Sequence, residues 1–345
     1  MKGMVLCAGL GTRLRPLTNR WPKPAMPLLA GPLVRYAFAT LESAGVSSFA
    51  INSHWLPEVM EAVALADRPG LTISRELPEV QGTGGGIRGL KSFLSDGDFV
   101  VTAGDVLFAV DLKPVIAAHR ASGAAATMVL LPMPEGKKYN AVEIDPSRAV
   151  RRIAGKGPGG EKLSGWHFTG VHVMTPKVFD FMKASGPEDI NHDVYPRLIE
   201  AGLTVQGHLL EPKSVYWSDL GTPESYAATH QHLLFGQVPL ESFGDHGPLA
   251  GHPRMEGLNG WAHPTAKLDA DVKFAGPCFF GEGAVVEAGV RLGAAVSVGK
   301  GARVGQGARL NRVAVLDGGE VAANTQLNDA LVGPGGVVVS ALPKT

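Results

Sequence analysis

Residues 4–24 read MVLCAGLGTRLRPLTNRWPKP. Met4-Val5-Leu6-Cys7-Ala8 is a short apolar run, which predicts a buried strand. Gly9-Leu10-Gly11-Thr12-Arg13 follows at once. Glycines just after a strand let backbone N–H groups turn inward and approach a phosphate closely. Arg13 adds a fixed cationic fork, and Lys23, between Pro22 and Pro24, adds a point charge. Strand, glycine turn and two cations are the parts of a triphosphate cradle, although a glycine pair after a strand is also common in ordinary turns. The stretch is not a Walker A motif, because Lys and Ser/Thr do not follow the last glycine at the required spacing. It is not the dinucleotide fingerprint either, because no third glycine opens a helix.

Outward from this stretch the chain alternates. Residues 33–45 put Leu33, Tyr36, Ala37 and Leu41 on one helical face, and Gly45 stops the helix. Residues 49–52 read as a strand, 57–66 as a helix and 72–74 as a strand, the alternation of a parallel α/β sheet. Residues 76–87 (ELPEVQGTGGGI) suit close approach of backbone to a flat ligand, or an ordinary glycine-rich turn into a helix ending at 90–94. Residues 99–103 form another apolar strand, closed by Gly104-Asp105. An aspartate beyond the carboxyl end of such a strand suits Mg2+, and it equally suits a turn. Residues 124–132 read as a further strand.

Residues 215–226 (VYWSDLGTPESY) end in Thr222-Pro223, an N-cap followed by proline, opening a helix to about Phe235. Residues 236–258 are rich in Gly and Pro without a period and read as a linker. Beyond them large residues recur every six positions at Leu268, Phe274, Phe280, Val286, Leu292, Val298, Val304, Leu310 and Leu316. Mostly small residues sit four places on, from Val272 and Cys278 to Ala308 and Ala314. Neither a helix nor an alternating strand has this step; a β-helix with triangular coils does. Stacked coils leave an exposed end, so such domains tend to cap or oligomerise.

The chain has 345 residues, 45% hydrophobic and 19% charged, with zero formal net charge. That balance suits a globular protein and argues against a nucleic-acid binder acting through bulk charge. The two cysteines, Cys7 and Cys278, lie far apart, which fits a reducing cytoplasm better than a disulfide framework. No targeting segment precedes the first strand and no apolar run is long enough to cross a bilayer, so no membrane partner is expected. The scattered histidines show no metal-ligand spacing.

Taken whole, GLGTRLRPLT followed by PKP resembles the signature of the sugar-1-phosphate nucleotidylyltransferases, the NDP-sugar pyrophosphorylases. The segment Trp217-Ser218-Asp219-Leu220-Gly221-Thr222-Pro223 is similar to that family's Trp-x-Asp-(Ile/Val)-Gly-Thr-Pro. The resemblance implies a Rossmann-like, mostly parallel sheet with helices on both faces over 1–235, the linker, and a left-handed β-helix over 259–345. It also implies that an NTP and a sugar-1-phosphate give an NDP-sugar and pyrophosphate. Mg2+ would be held by Asp105 and Asp219, and Arg13 and Lys23 would balance phosphate charge. Ala8, Gly9, Gly11 and Thr12 would meet the triphosphate. Gln81, Gly82, Thr83 and Gly84 match the family's stretch against the nucleotide base.

On the sugar-phosphate side the resemblance implicates Asn140, Glu143, Lys156 and Gly170. Here the chain departs from the pattern. Asn140 replaces a glycine, the glutamate of a Phe-x-Glu-Lys-Pro segment is missing before Lys156, and an asparagine is missing before Gly170. The layout resembles mannose-1-phosphate guanylyltransferases, which implies GTP or UTP with a hexose-1-phosphate. The segments at 51–56 and 82–87 look like N-acetylmuramate-1-phosphate uridylyltransferases. A regulatory subunit without activity is a third reading, opposed by intact Arg13, Lys23, Asp105 and Asp219. An added acyl transfer would need a histidine between coils, and His263 precedes the regular repeat. A homo-oligomer formed through the β-helix is expected.

Overall fold

The structure, a computed structural model, describes residues 1–136, 139–247, 249, 251–256 and 259–339. Residues 248, 250, 257 and 258 of the segment read as a linker, and 340–345 of the segment read as β-helix, lie outside the described residues. The chain forms two compact units: Met1–Leu10 with Ala37–Trp217, and Gly11–Tyr36 with Ser218–Thr345. Among the described residues no helix is long and apolar enough to cross a membrane.

The first unit is built on a nine-stranded mixed sheet. Its first half alternates as β1 (Lys2–Leu6), α1 (Leu33–Ser43, whose first turn belongs to the other unit), β2 (Ser48–Ser53), α2 (Pro57–Asp67), β3 (Thr72–Arg75), α3 (Gly82–Gly89) and β4 (Phe99–Ala103). Then come α4 (Lys113–Ser122), β5 (Ala126–Leu131), β6 (Val142–Ile144), β7 (Val150–Ile153), β8 (Ser164–Met174), α5 (Tyr195–Glu200) and β9 (Val205–Leu209). The strand order is β7-β6-β8-β4-β1-β2-β3, with β5 between β8 and β9. β1 lies parallel to β2 and β4, so Leu6 is opposite both Asn52 and Ala103. That central position explains the unbroken apolar run at its start, since a strand paired on both edges and covered on both faces has no wet side. β8 is antiparallel to β4 and β5.

The helical face expected over 33–45 is present, with Leu33, Tyr36, Ala37 and Leu41 all buried. At 82–89 the structure differs from the simple turn: the glycines are themselves helical, and α3 begins at Gly82. Glycine weakens a helix by about 1 kcal/mol relative to alanine, so something must offset the choice. A Cβ on Gly82, where φ is +70°, would lie 2.6 Å from the Glu188 carbonyl oxygen. One on Gly86 would lie 2.6 Å from Asn52 Nδ2. The helix is glycine-rich because other chain segments occupy the space of its side chains.

The second unit joins residues 11–36 to α6 (Pro223–Leu234) and a left-handed parallel β-helix. Three short 3-10 turns, Thr12–Leu14, Leu17–Asn19 and Lys23–Ala25, carry the early segment. Thr222 caps α6 by accepting from Ser225 N, and the Ser225 hydroxyl closes a capping box. The segment read as a linker contains a turn at Leu240–His246, with Phe243 buried edge-on against Tyr36 at 5.3 Å.

The six-residue step of the β-helix holds through its first coils, with Phe280, Val286, Leu292, Val298, Val304 and Leu310 buried. Strand partners there are eighteen residues apart, as in Phe274 opposite Leu292 and Leu292 opposite Leu310. The next two coils are each one residue shorter: Val298 faces Val315, and Val315 faces Val332. The core is therefore continued by Val313 and Val315, not by Ala314 and Leu316 as the periodicity predicts. The first residue is lost beside Arg312, which takes a left-handed φ of 52°.

Candidate active site

Two of the sequence-predicted site segments end up on neighbouring strand ends of the first unit. β1 delivers buried Ala8 and exposed Gly9. β4 delivers Asp105, half-buried, just past Gly104. Gly104 N donates to the Leu6 carbonyl at 2.9 Å, and a Cβ there would crowd the same carbonyl at 2.9 Å. Glycine before Asp105 thus lets its strand end press against β1. Burial, and secondarily the Asp105 carboxylate, push the Cys7 thiol well above its ordinary range, so Cys7 is a core residue and not a nucleophile.

Gln81 precedes α3, and Gly82, Thr83 and Gly84 form its first turn. The backbone N–H groups of Gly84 and Gly85 both donate to the Glu188 carbonyl, at 2.9 and 3.1 Å. The Thr83 hydroxyl donates to Asp189 Oδ2 at 3.0 Å and accepts from Ile190 N at 2.9 Å. The Glu188 carboxylate, fully buried, takes hydrogen bonds from Arg197 Nη2 at 2.5 Å and from Lys183 N. The sequence does not single out Glu188, because an acid before Asp189 reads as a solvated residue.

The other predicted residues lie in the second unit. Gly11 has φ +59°, and the Thr18 hydroxyl donates to its carbonyl at 2.8 Å. Thr12 and Arg13 follow on an exposed turn. Lys23 is buried, and its ammonium donates to the Asp219 carbonyl at 2.5 Å. Arg13 lies over Gly221, where a Cβ would meet its Nη2 at 2.8 Å. Gly221 N donates in turn to Asp219 Oδ1 at 3.3 Å. Leu220, between them, has φ +40°. The structure thus gathers Arg13, Lys23 and Asp219 around one strained turn, residues 219–221.

The expected sugar-phosphate residues are more dispersed. Asn140 is exposed just before β6, Lys156 is exposed and bridges back to Ile153, Glu143 is half-buried on β6 with Arg152 Nη1 at 4.0 Å, and Gly170 lies within β8 at φ +91°. Near Gly170 is a ring cluster that sequence reading did not assemble. His167 lies 4.4 Å from Tyr139 and 4.3 Å from Trp217 between ring centroids, and Trp217 Nε1 donates to the Thr169 carbonyl at 2.8 Å. The sequence shows His167 only as one of several scattered histidines, because its ring partners Tyr139 and Trp217 are distant along the chain.

The model of the nucleotidyl transferase family matches residues 2–235. A UTP–glucose-1-phosphate uridylyltransferase of Synechocystis sp. is 26% identical over 307 residues, covering 85% of this chain and 76% of the relative. A mannose-1-phosphate guanylyltransferase of Mycobacterium tuberculosis is 28% identical over 295 residues, covering 84% and 77%. Among solved structures, HddC from Yersinia pseudotuberculosis aligns with a TM-score of 0.55 at 22% identity, over 66% of this chain and 97% of that one. That last likeness concerns the fold.

Proposed function

Because the chain belongs to the nucleotidyl transferase family, we propose that it acts as a sugar-1-phosphate nucleotidylyltransferase, the activity for which its relatives are named. The observation that carries this reading is the turn at residues 219–221, which holds Lys23, Arg13 and Asp219 together. In the reaction an oxygen of the sugar phosphate attacks the α-phosphorus in line. A new P–O bond forms, the bond to the β-phosphate breaks, and pyrophosphate leaves. Two anions must be brought together, so the protein's task is positioning and charge.

The chain's residues divide that task. Arg13 takes the leaving pyrophosphate, and the Lys23 ammonium takes the α-phosphate or the attacking phosphate. Ala8, Gly9, Gly11 and Thr12 offer backbone N–H groups to the triphosphate. The Thr83 hydroxyl and the Gly84 N–H are committed to residues 188–190, so contact with the base falls to Gln81 and the bare backbone of Gly82. Asn140, Glu143, Lys156 and Gly170 are assigned to the sugar phosphate. Mg2+ fits the donors assigned to it, since Asp105 and Asp219 are partly buried carboxylates, and this ion takes one or two carboxylates and completes its shell with phosphates and water. When bound, it supplies positive charge to the reacting phosphates.

The preferred substrates are GTP or UTP with a hexose-1-phosphate such as mannose-1-phosphate, in line with the guanylyl- and uridylyltransferases among the relatives. The same reading makes 1–235 the catalytic segment and 259–345 a β-helix through which the cytoplasmic enzyme forms a homo-oligomer. Pyrophosphate release with Mg2+, across a grid of NTPs and sugar-1-phosphates, tests the function. One strong pair is expected. A grid with no release overturns the reading.

A further inference from the structure

Asn52, near the end of β2, and Glu76, just past β3, are both buried. They form the middle of a chain of hydrogen bonds. Cys7 N donates to Asn52 Oδ1 at 2.8 Å, Asn52 Nδ2 donates to Glu76 Oε1 at 2.7 Å, and Gln81 N donates to Glu76 Oε2 at 2.7 Å. The Glu76 backbone is tied as well: its N–H donates to the Ser53 carbonyl at 2.8 Å, and its carbonyl lies 2.9 Å from His54 Nδ1. The chain therefore starts on the residue before Ala8-Gly9 and ends on Gln81, the residue before α3. Gly86 of α3 lies flat against the pair, with room for no side chain between.

A buried carboxylate is costly to desolvate, and apolar residues would fill the same space at lower cost. What the polar pair adds is direction, because each oxygen faces one donor. The groups it orients belong to two segments assigned separately to the triphosphate and to the base. We propose that Asn52 and Glu76 are positioning residues for the nucleotide. They fix the turn at Ala8-Gly9 relative to Gln81, so that both ends of one NTP meet preset partners. Neither needs to touch the nucleotide. The inference rests on the functional reading of those two segments.

An exchange of the two functional groups tests it. N52D keeps the acceptor for Cys7 N but sets two carboxylates against each other. E76Q leaves one acceptor for two donors. Together, N52D/E76Q restores the circuit: the carboxylate at position 52 accepts from Cys7 N and from the new amide, whose carbonyl accepts from Gln81 N. Net charge is unchanged. Each single change is expected to raise KM for NTP about tenfold or more, with KM for the sugar phosphate within about twofold and kcat within about threefold. The double variant is expected to return to within about threefold of the parent, a rescue that general loss of folding would not produce.

The inference is overturned by single variants with unchanged KM for NTP, or by a double variant no better than the worse single. If a single variant does not fold, the double variant decides alone by the same criterion. A parent that binds NTP by calorimetry yet releases no pyrophosphate would defeat the proposed reaction only; the same comparison then runs on Kd for NTP. A parent that binds no NTP defeats both.

Discussion

The Lys23 ammonium and the Asp219 backbone carbonyl are 2.5 Å apart, joining residues 196 positions distant in sequence. The bond ties the Lys23 ammonium to the backbone of the turn at residues 219–221. Lys23 is also 6% exposed, which spares its charge much of the screening that water and salt impose. Lys23→Met is expected to lower kcat about a hundred- to a thousandfold. Lys23→Arg is expected to recover little, since a planar fork does not replace a compact ammonium in a closed space. Steady-state pyrophosphate release measures both, and a methionine variant within about threefold of the parent would remove Lys23 from the machinery.

Asp219→Asn isolates the carboxylate, because the backbone carbonyl that receives Lys23 is retained. Asp219→Asn and Asp105→Asn are each expected to cost about a hundredfold or more in kcat and to raise the Mg2+ concentration needed for half-maximal rate. Chelation by EDTA should silence the parent, and added Mg2+ should restore it. Variants with the parent's Mg2+ dependence would refute the metal assignment.

Gly221→Ala and Gly82→Ala separate activity from stability. At Gly221 the added methyl meets the end of the Arg13 side chain at 2.8 Å, which can swing away. Activity should fall about tenfold, with stability changed by about 0.5 kcal/mol or less. At Gly82 the methyl meets the Glu188 backbone oxygen at 2.6 Å from a residue at φ +70°, and neither can yield easily. That variant should lose about 1–3 kcal/mol. Thermal unfolding and turnover of the two variants give the comparison; equal melting temperatures would contradict it.

Mild acid should destabilise the protein through two buried histidines. Burial lowers His172 and His230 from 6.5 to about 3. His172 shares its Nδ1 with the Tyr195 hydroxyl at 2.6 Å, and His230 its Nδ1 with the Ser297 hydroxyl at 3.2 Å. Each is neutral when folded but takes a proton when unfolded below pH 6.5. Its stabilisation is therefore complete above that pH and is lost as pH falls toward 3, by about 1.4 kcal/mol per pH unit per group at most. Asp317, raised by burial to about 6, acts oppositely between that value and 3.8 and offsets part of the loss. Melting temperature should fall from pH 7.5 to 5, and His172→Asn should flatten the slope. A flat or rising profile in the parent would refute the assignment.

Local chemistry made much of this legible. The apolar run before Gly9 marked a central strand, and Thr222-Pro223 marked a helix start that the structure completes with Ser225. Arg13, Lys23 and Asp219 were named from motif resemblance and do converge on one turn. What escaped depends on residues far apart in the chain. The helix at Gly82 runs against its own glycine content and stands because Glu188 occupies the neighbouring space. Nor does any local pattern announce that residues 11–36 fold with α6 and the β-helix, or that Tyr139, His167 and Trp217 share a cluster.

The first short coil of the β-helix has one further effect. A repeat that drops a single residue changes phase, and every later position of the old frame exchanges inside for outside. Leu316, an interior residue by count, instead borders a space of about 10 Å3 shared with Pro27, Leu29 and His230. The shortened coil thus turns a core position of the count outward, to a space it shares with the segment that carries Lys23. Reinserting the missing residue would be an edit to the β-helix whose first casualty lies elsewhere in the unit, at the footing of that segment.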